Sequence, residues 1–310
     1  MSAPPAVAVH AGAPGDPAAW NEMARRSGNL VQSTHFDGVE AFFRARPVYL
    51  TATVGGELCA GVKLYETTAG RFRTVSAPMT RTFLQLGEML TLADPAGDAA
   101  PGARRALEAA VTRHLASAGA VSFRVSGIYG GLDALVVLPV PPATVSSFNV
   151  ASVDLTGGHD LLWNRLHKAH RTEIRKAERN GVTLSRQGSI DRFVELMDAS
   201  YRGQRTAGPH RAYVRHLYRT LDGFAADLFF AVKDTDYLAG ALCLPWGGVA
   251  YYQFGGTTRT SLGAGAYLQW EVMKHYRKLG FSRYILGQVA SGPTPAEAKF
   301  ALGISPFKRR

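Results

Sequence analysis

The chain has only two cysteines in 310 residues, Cys59 and Cys243, each inside an apolar run. Two such thiols build neither a disulfide framework nor a cysteine-rich metal site, and each reads as a buried thiol of a strand. The nine histidines form no H-E-x-x-H motif and share no ligand spacing with the cysteines, so no metal site is expected. No apolar run approaches the roughly 18 residues of a membrane span. The opening MSAPPAVAVHAGAPGDPAAW lacks a basic stretch and a continuous apolar core. It does not read as a secretory signal, and the cytoplasm is the expected location. A G-x-S-x-G turn is missing, as is a Ser/His/Asp or Cys/His set, so nothing points to a covalent nucleophile. An RNP-type aromatic signature and an RGG tract are missing too.

Positive charge is what the chain has in excess. Thirty-five Lys and Arg stand against 24 Asp and Glu, a net charge of +11. Such a field attracts phosphates and steers anionic ligands, which leaves nucleic acid, nucleotides and anionic lipid surfaces as partners. With 46% hydrophobic and 19% charged residues the chain is expected to be globular, and its length predicts two domains.

The excess is concentrated in Leu162–Val182, LWNRLHKAHRTEIRKAERNGV. The spacing predicts one amphipathic helix: at about 100° per residue, Lys168, Arg171, Arg175 and Arg179 share roughly one quadrant. Leu162, Leu166, Ala169 and Ala177 gather on the opposite side. Gly157-Gly158 precedes the helix, and Asn180-Gly181 supplies a residue able to take positive φ and close it. The basic face suits a polyanion. The alternative is a solvated face whose cations pair with Glu173 and Glu178.

Element order suggests a duplicated module. Val48–Val54, a Gly55-Gly56 turn, Glu57–Tyr65, Arg71–Ser76, a helix over about 103–118 and a strand at Val121–Ser126 make the first copy. Leu228–Lys233, an Asp234–Asp236 turn, Tyr237–Leu244, Val249–Phe254, a helix over about 266–279 and Arg283–Leu286 repeat the order. Ala60-Gly61 in one second strand recurs as Ala239-Gly240 in the other. The expectation is an α+β protein of two tandem domains, each a mixed, mostly antiparallel sheet flanked by helices. The Pro-rich PVPPAT at Pro139–Thr144 resists regular structure and places the join there, giving domains 1–142 and 143–310.

Four segments carry a family resemblance. Val150–Leu155 (VASVDL), the basic segment with its R-x-x-I-R-K-A-E-x-x-G-V core, Asp198–Arg205 (DASYRGQR) and Lys299–Gly303 (KFALG) resemble, in that order, the second domain of the Fem-type peptidyltransferases. Asp16–Trp20 (DPAAW) and Gln32-Ser33 look like the opening of that family's first domain. The ending departs from the family's F-K-x-x-F-G, and no coiled-coil arm interrupts the second domain. The resemblance implies two domains of the N-acetyltransferase (GNAT) fold that use aminoacyl-tRNA, without a further cofactor, to form an amide on an amine. Best known are members that build peptidoglycan cross-bridges; others attach amino acids to small natural products. A trimmed chain end and the lack of a membrane helix lead us to expect a soluble acceptor, either a small molecule or a nucleotide-linked peptide, and a monomeric enzyme.

An aminoacyl ester is already activated, so the protein need only orient the amine, help it lose a proton and stabilise the tetrahedral oxyanion. Lys299 matches the lysine of the family's closing motif and would lie near the reacting carbonyl. Arg205, at helical spacing from Tyr201, matches an arginine used around anionic groups of the acceptor, a role suited to a planar guanidinium fork; an ion pair with Asp198 competes. Tyr251 and Tyr252 fall on opposite faces of one strand, so one belongs to the core and the other to a cleft. The family pattern selects Tyr252 as the second catalytic candidate beside Lys299. Arg205, Tyr201, Tyr251 and Arg259 are the candidate substrate contacts, and Lys168, Arg171, Arg175 and Arg179 the candidate tRNA contacts.

A rival reading starts at Arg259–Ala266 (RTSLGAGA). Acyl-CoA transferases of the GNAT fold place a Q/R-x-x-G-x-G/A loop there to cradle pyrophosphate at a helix N-terminus. Thr260 stands where Gln or Arg is expected, while Gly263 and Gly265 keep their places. Otherwise these glycines only let a helix pack closely on the sheet. A non-enzymatic RNA-binding protein is the third reading.

Overall fold

Gly55 and Gly56, with φ of 61° and 87°, form the left-handed pair that a two-residue turn needs to join twisted antiparallel strands. They close the first hairpin of a computed structural model that describes residues 6–26, 30–69, 72–76, 90–91, 99–120, 123–124, 149–205, 207–258 and 262–289. Lys299 and Arg259 lie outside the described residues. The chain divides into two compact units, Met1–Val145 and Ser146–Arg310.

In the first unit β1 (Ala6–Ala11) and α1 (Pro17–Arg26) precede a short α2 (Asp37–Glu40). There follow β2 (Arg46–Val54), β3 (Glu57–Ala69), β4 (Phe72–Ser76), β5 (Leu90–Thr91), α3 (Ala99–Ser117) and β6 (Phe123–Arg124). The sheet runs β1-β2-β3-β4-β6, with β5 also paired to β3; among the described strands only β4 and β6 are parallel. Alternation along β2 decides the layers. Val48, Leu50 and Ala52 join Leu107, Val111 and Leu115 of α3 in one cluster, while Tyr49 joins Trp20 and Met23 of α1 on the other face.

Beneath α1 lies a buried charge cluster. Lys63 is fully buried; its Nζ donates to Asp37 Oδ1 at 2.8 Å and to the Ser33 carbonyl at 2.5 Å. The Tyr65 hydroxyl donates to the same Asp37 oxygen at 2.6 Å, and Tyr49 donates to the other. Burial pushes the Lys63 ammonium below its ordinary pKa, and Asp37 opposes the shift.

The second unit contains β7 (Asn149–Asp154), α4 (His159–Arg165), α5 (Lys168–Arg179), β8 (Thr183–Ser185), α6 (Ile190–Gln204) and α7 (Arg211–Leu221). It continues with β9 (Asp227–Lys233), β10 (Asp236–Trp246), β11 (Val249–Thr257), α8 (Ala264–Lys278) and β12 (Arg283–Val289). Its sheet runs β7-β12-β11-β10-β9-β8, again with one parallel pair, β11 and β12. Ile174 and Ala177 of α5 share a core with Leu268, Val272 and Tyr276 of α8 and with Phe229, Ala241, Cys243 and Tyr284 of the sheet.

The repetition read from the sequence extends to register. Ala60 pairs with Ala52, and Ala239 with Ala231; in both hairpins the residue just before the Ala-Gly pair, Cys59 or Leu238, is the extra residue of a bulge. The following glycine is crowded from outside the sheet. A Cβ on Gly61 would overlap the Trp20 ring of α1, and one on Gly240 would stand 3.0 Å from the Phe193 ring of α6. A bulge with a glycine contact therefore seats one helix against each central hairpin. Among the described residues, α4 and α5 have no counterpart in the first unit.

The basic segment departs from the sequence reading at one point: it is two helices, not one. The chain is extended at Leu166 and His167, and His167 caps α5 by accepting from the Ala169 N–H at Nδ1 (3.2 Å). The reason is geometric. In an unbroken helix Leu162 and Ile174 would point about 120° apart, whereas the break lets both reach the core. Gly181, with φ of 73°, closes α5 as expected.

Candidate active site

The sheet of the second unit opens where β11 meets β12. Only three rungs join them, Val249 to Arg283, Ala250 to Tyr284 and Tyr251 to Ile285, yet β11 runs on to Thr257 and β12 to Val289. Two residues beyond the last rung β11 carries a bulge: Phe254 pairs with Leu242 and Tyr252 with Cys243, leaving Gln253 as the extra residue. A split between parallel strands exposes backbone groups that a regular sheet would pair, and is thus a place for a ligand.

The two tyrosines differ in burial, and it is Tyr252, the residue expected in a cleft, that packs against a core cluster. Tyr251 is 3% exposed, whereas Tyr252 is half-buried against the α5–α8 core. The Tyr252 hydroxyl lies over Gly255, where a Cβ would overlap it. Burial, then the nearby Cys243 and Tyr201, pushes the Tyr252 phenol well above its ordinary pKa. It therefore stays protonated at neutral pH, where it can donate a hydrogen bond but is not a ready base. On the other face Gly256 lies against the α6 backbone, 2.5 Å from Met197 N and Cα for an added Cβ.

Tyr201, half-buried at the end of α6, packs on Gly208, and burial raises its pKa. Arg205 is the exposed C-cap of α6, in the left-handed region at φ 55°. The competing Asp198–Arg205 pair does not form, because Asp198 is bound to Arg211 Nε at 2.5 Å. Among the described residues Arg205 has no ion pair.

The basic face is unpartnered in the same sense. Lys168, Arg175 and Arg179 are exposed and Arg171 half-exposed, and none makes a salt bridge to a described residue. Glu173 and Glu178 do not neutralise them. Away from this face Arg186, Arg192, Arg211, Arg215 and Lys274 of the same unit pair with carboxylates, while Arg165, Lys176, Arg202, Arg219, Lys233, Lys278 and Arg283 make no salt bridge to a described residue; what sets α5 apart is that its unpaired cations line one helix face. The Arg175 guanidinium sits 5.4 Å over the Trp163 ring, which packs on Trp270 at 5.1 Å.

Glu173 has a different position. Its backbone carbonyl crowds Gly263, the N-cap of α8 at φ 73°, and its carboxylate Oε2 comes within 3.0 Å of an added Cβ. Gly263 thus permits close approach of α8 to α5 rather than to the sheet alone; Gly265 meets Thr257 of β11. A carboxylate beside this helix entrance complements the helix dipole and opposes a pyrophosphate there.

Sequence reasoning did not single out Gln253 and gave Glu173 only as a partner for the cations of its own helix, since bulges and helix–helix approach leave no local signature. A polar pocket of about 350 Å³ at the β8–β9 edge, lined by Arg186, Tyr218, Asp222, Phe224 and Asp227, has its charges engaged. Arg186 binds Asp227 at 2.5 Å, and Tyr276 donates to the second Asp227 oxygen at 2.9 Å. Among the described residues no group of His, Cys, Asp or Glu is placed to hold a metal, and no helix is long and apolar enough to cross a membrane.

Residues 164–309 match the acetyltransferase (GNAT) domain family. The structure is similar to FemX with a TM-score of 0.75 at 16% identity, covering 94% of this chain and 92% of that one. It is similar to the C-terminal domain of a putative lysylphosphatidylglycerol synthetase from Agrobacterium fabrum (TM-score 0.51, 14% identity, 94% and 86% covered). A tandem GNAT protein from the clavulanic acid biosynthesis pathway gives 0.50 at 14% identity, with 96% and 94% covered. Comparison with curated protein sequences gave no match. Residues 164–309 are thus similar to the GNAT acetyltransferase domain, and the chain has the tandem GNAT fold.

Proposed function

We propose that the protein is an aminoacyltransferase that takes its acyl group from aminoacyl-tRNA and forms an amide on an amine of a soluble acceptor, a natural-product intermediate or a nucleotide-linked peptidoglycan precursor. The observation that carries this reading is the row of cations on one face of α5 that make no salt bridge to a described residue, on an element with no counterpart among the described residues of the first unit. Unpaired Lys and Arg on one helix face are the electrostatic footprint of a phosphate backbone. The resemblance of this segment to the Fem-type transferases and the likeness to FemX support it further.

In the reaction the acceptor nitrogen attacks the ester carbonyl. The N–C bond forms, the bond from carbon to the terminal ribose oxygen breaks, and the proton that the attacking nitrogen sheds ends on that oxygen, directly or relayed through the Tyr252 hydroxyl, which is left unchanged, so that the oxygen leaves as a hydroxyl. Tyr252, kept protonated by burial, is assigned donation of a hydrogen bond or proton to the leaving oxygen. Lys299 is assigned stabilisation of the oxyanion, and Arg205, exposed and without an ion pair among the described residues, the grip on an anionic group of the acceptor.

The acetyl-CoA reading is favoured by the domain match and by Gly263 and Gly265; Glu173 at the entrance of α8 counts against it. A mass-shift assay with mixed amines, amino acids, synthetases and total tRNA separates the two. RNase-sensitive product is expected. Product that needs acetyl-CoA and survives RNase would replace this function with the rival, and Lys299→Met should abolish transfer without weakening tRNA binding.

A further inference from the structure

Gln253 is 4% exposed, and neither its amide nitrogen nor its amide oxygen has a hydrogen-bond partner among the described residues. The other buried glutamines each have at least their oxygen engaged: Gln32 Oε1 accepts from the Lys63 N–H at 2.9 Å, although Gln32 Nε2 has no partner among the described residues, and Gln269 Oε1 accepts from the Tyr284 hydroxyl at 2.7 Å. An amide buried with both ends empty is unfavourable, and an apolar side chain of equal size would be more stable there. Such a group is explained when a ligand completes it. The position supports this, because Gln253 is the extra residue of the β11 bulge, two residues past the last rung that joins β11 to β12.

A carboxamide offers a donor and an acceptor side by side. Its complement is a group with an acceptor and a donor on neighbouring atoms. An α-aminoacyl ester has both, in its carbonyl oxygen and its α-amine; an acetyl thioester has only the first. We propose that Gln253 selects the acyl group: Nε2 donates to the carbonyl oxygen of the donor and Oε1 accepts from its α-amine. The inference rests on the aminoacyltransferase reading and adds what that reading lacks, a determinant that rejects acyl groups without an amine. A site built to hydrogen-bond a substrate group discriminates strongly against the analogue that lacks it, because its own polar atoms are then left unpaired.

The test compares the full chain with Gln253→Met, which keeps volume, and Gln253→Glu, which keeps the acceptor and loses the donor. Each is assayed with aminoacyl-tRNA and with the same tRNA carrying the desamino acyl group. The wild type should prefer the amine-bearing donor by about 100-fold. Gln253→Met should reduce this to about threefold, keep tRNA affinity within about twofold, and melt about 2–4 °C higher. Gln253→Glu should transfer slowly while still preferring the amine. An undiminished preference in Gln253→Met, or a lower melting temperature, would overturn this role and leave the transferase reading standing. Failure of the wild type to use any aminoacyl-tRNA would overturn both.

Discussion

If the cations of α5 hold tRNA, the salt dependence of binding must report them. Lys168, Arg171, Arg175 and Arg179 lie along one face with no salt bridge to a described residue. If each neutralises one phosphate, log affinity falls with log salt at a slope of about −3, so raising salt from about 50 to about 200 mM weakens binding about 60-fold. Replacing Lys168, Arg171 and Arg175 together by Gln leaves one such contact and a slope of about −1, or about a fourfold loss over the same range. The substitutions break no ion pair among the described residues, so the fold should hold to within about 0.5 kcal/mol per site. Arg175 also loses its contact 5.4 Å above Trp163, so stability is checked separately by thermal melting. The assay is fluorescence anisotropy of labelled tRNA across a salt series. A triple variant that melts like the wild type and keeps its slope would refute the assignment of this face to tRNA.

Three further outcomes follow from the packing. Asp37→Asn should cost about 3–5 kcal/mol in urea unfolding, because it leaves Lys63 buried without its carboxylate; Lys63→Met should cost less than half of that, and equal costs would contradict the cluster. Gly263→Ala should destabilise by about 2 kcal/mol or more, since it combines a left-handed φ of 73° with crowding by the Glu173 carbonyl; a neutral effect would mean that α5 and α8 are farther apart. For the Glu66 carboxyl, burial acts upward, but Arg46 and His114 more than offset it and hold the pKa below its ordinary 4.5. Its stabilisation is therefore complete above about pH 4.5 and lost as pH falls through the lowered value. Melting curves across that range should show a loss of stability that Glu66→Gln reduces.

Much of the fold was legible because its signals are local. Gly55-Gly56 announces a tight hairpin, the apolar runs of Val48–Val54 and Tyr237–Leu244 announce buried strands, and Asn180-Gly181 ends a helix. The duplication showed in element order, and the structure extended it to the bulges at Cys59 and Leu238. What escaped depends on distant partners. Nothing local breaks the helix at Leu166-His167; the break comes from two apolar residues that must reach one core. Glu173 reads as a helix-surface acid until α8 is placed against it. Gln253 reads as a polar residue of an alternating strand until the β11 bulge leaves its amide buried and empty. Asp198, read as a partner for Arg205, is taken by Arg211 from the next helix.

The central claim is that the acyl group comes from tRNA. Its most direct measurement is release of a radiolabelled amino acid from purified aminoacyl-tRNA by the full chain, with and without an amine acceptor, beside a parallel reaction with radiolabelled acetyl-CoA. The account predicts amine-dependent discharge of the tRNA with the label recovered in an amide, and no transfer from acetyl-CoA. Amine-dependent transfer from acetyl-CoA with the aminoacyl-tRNA left intact would contradict it.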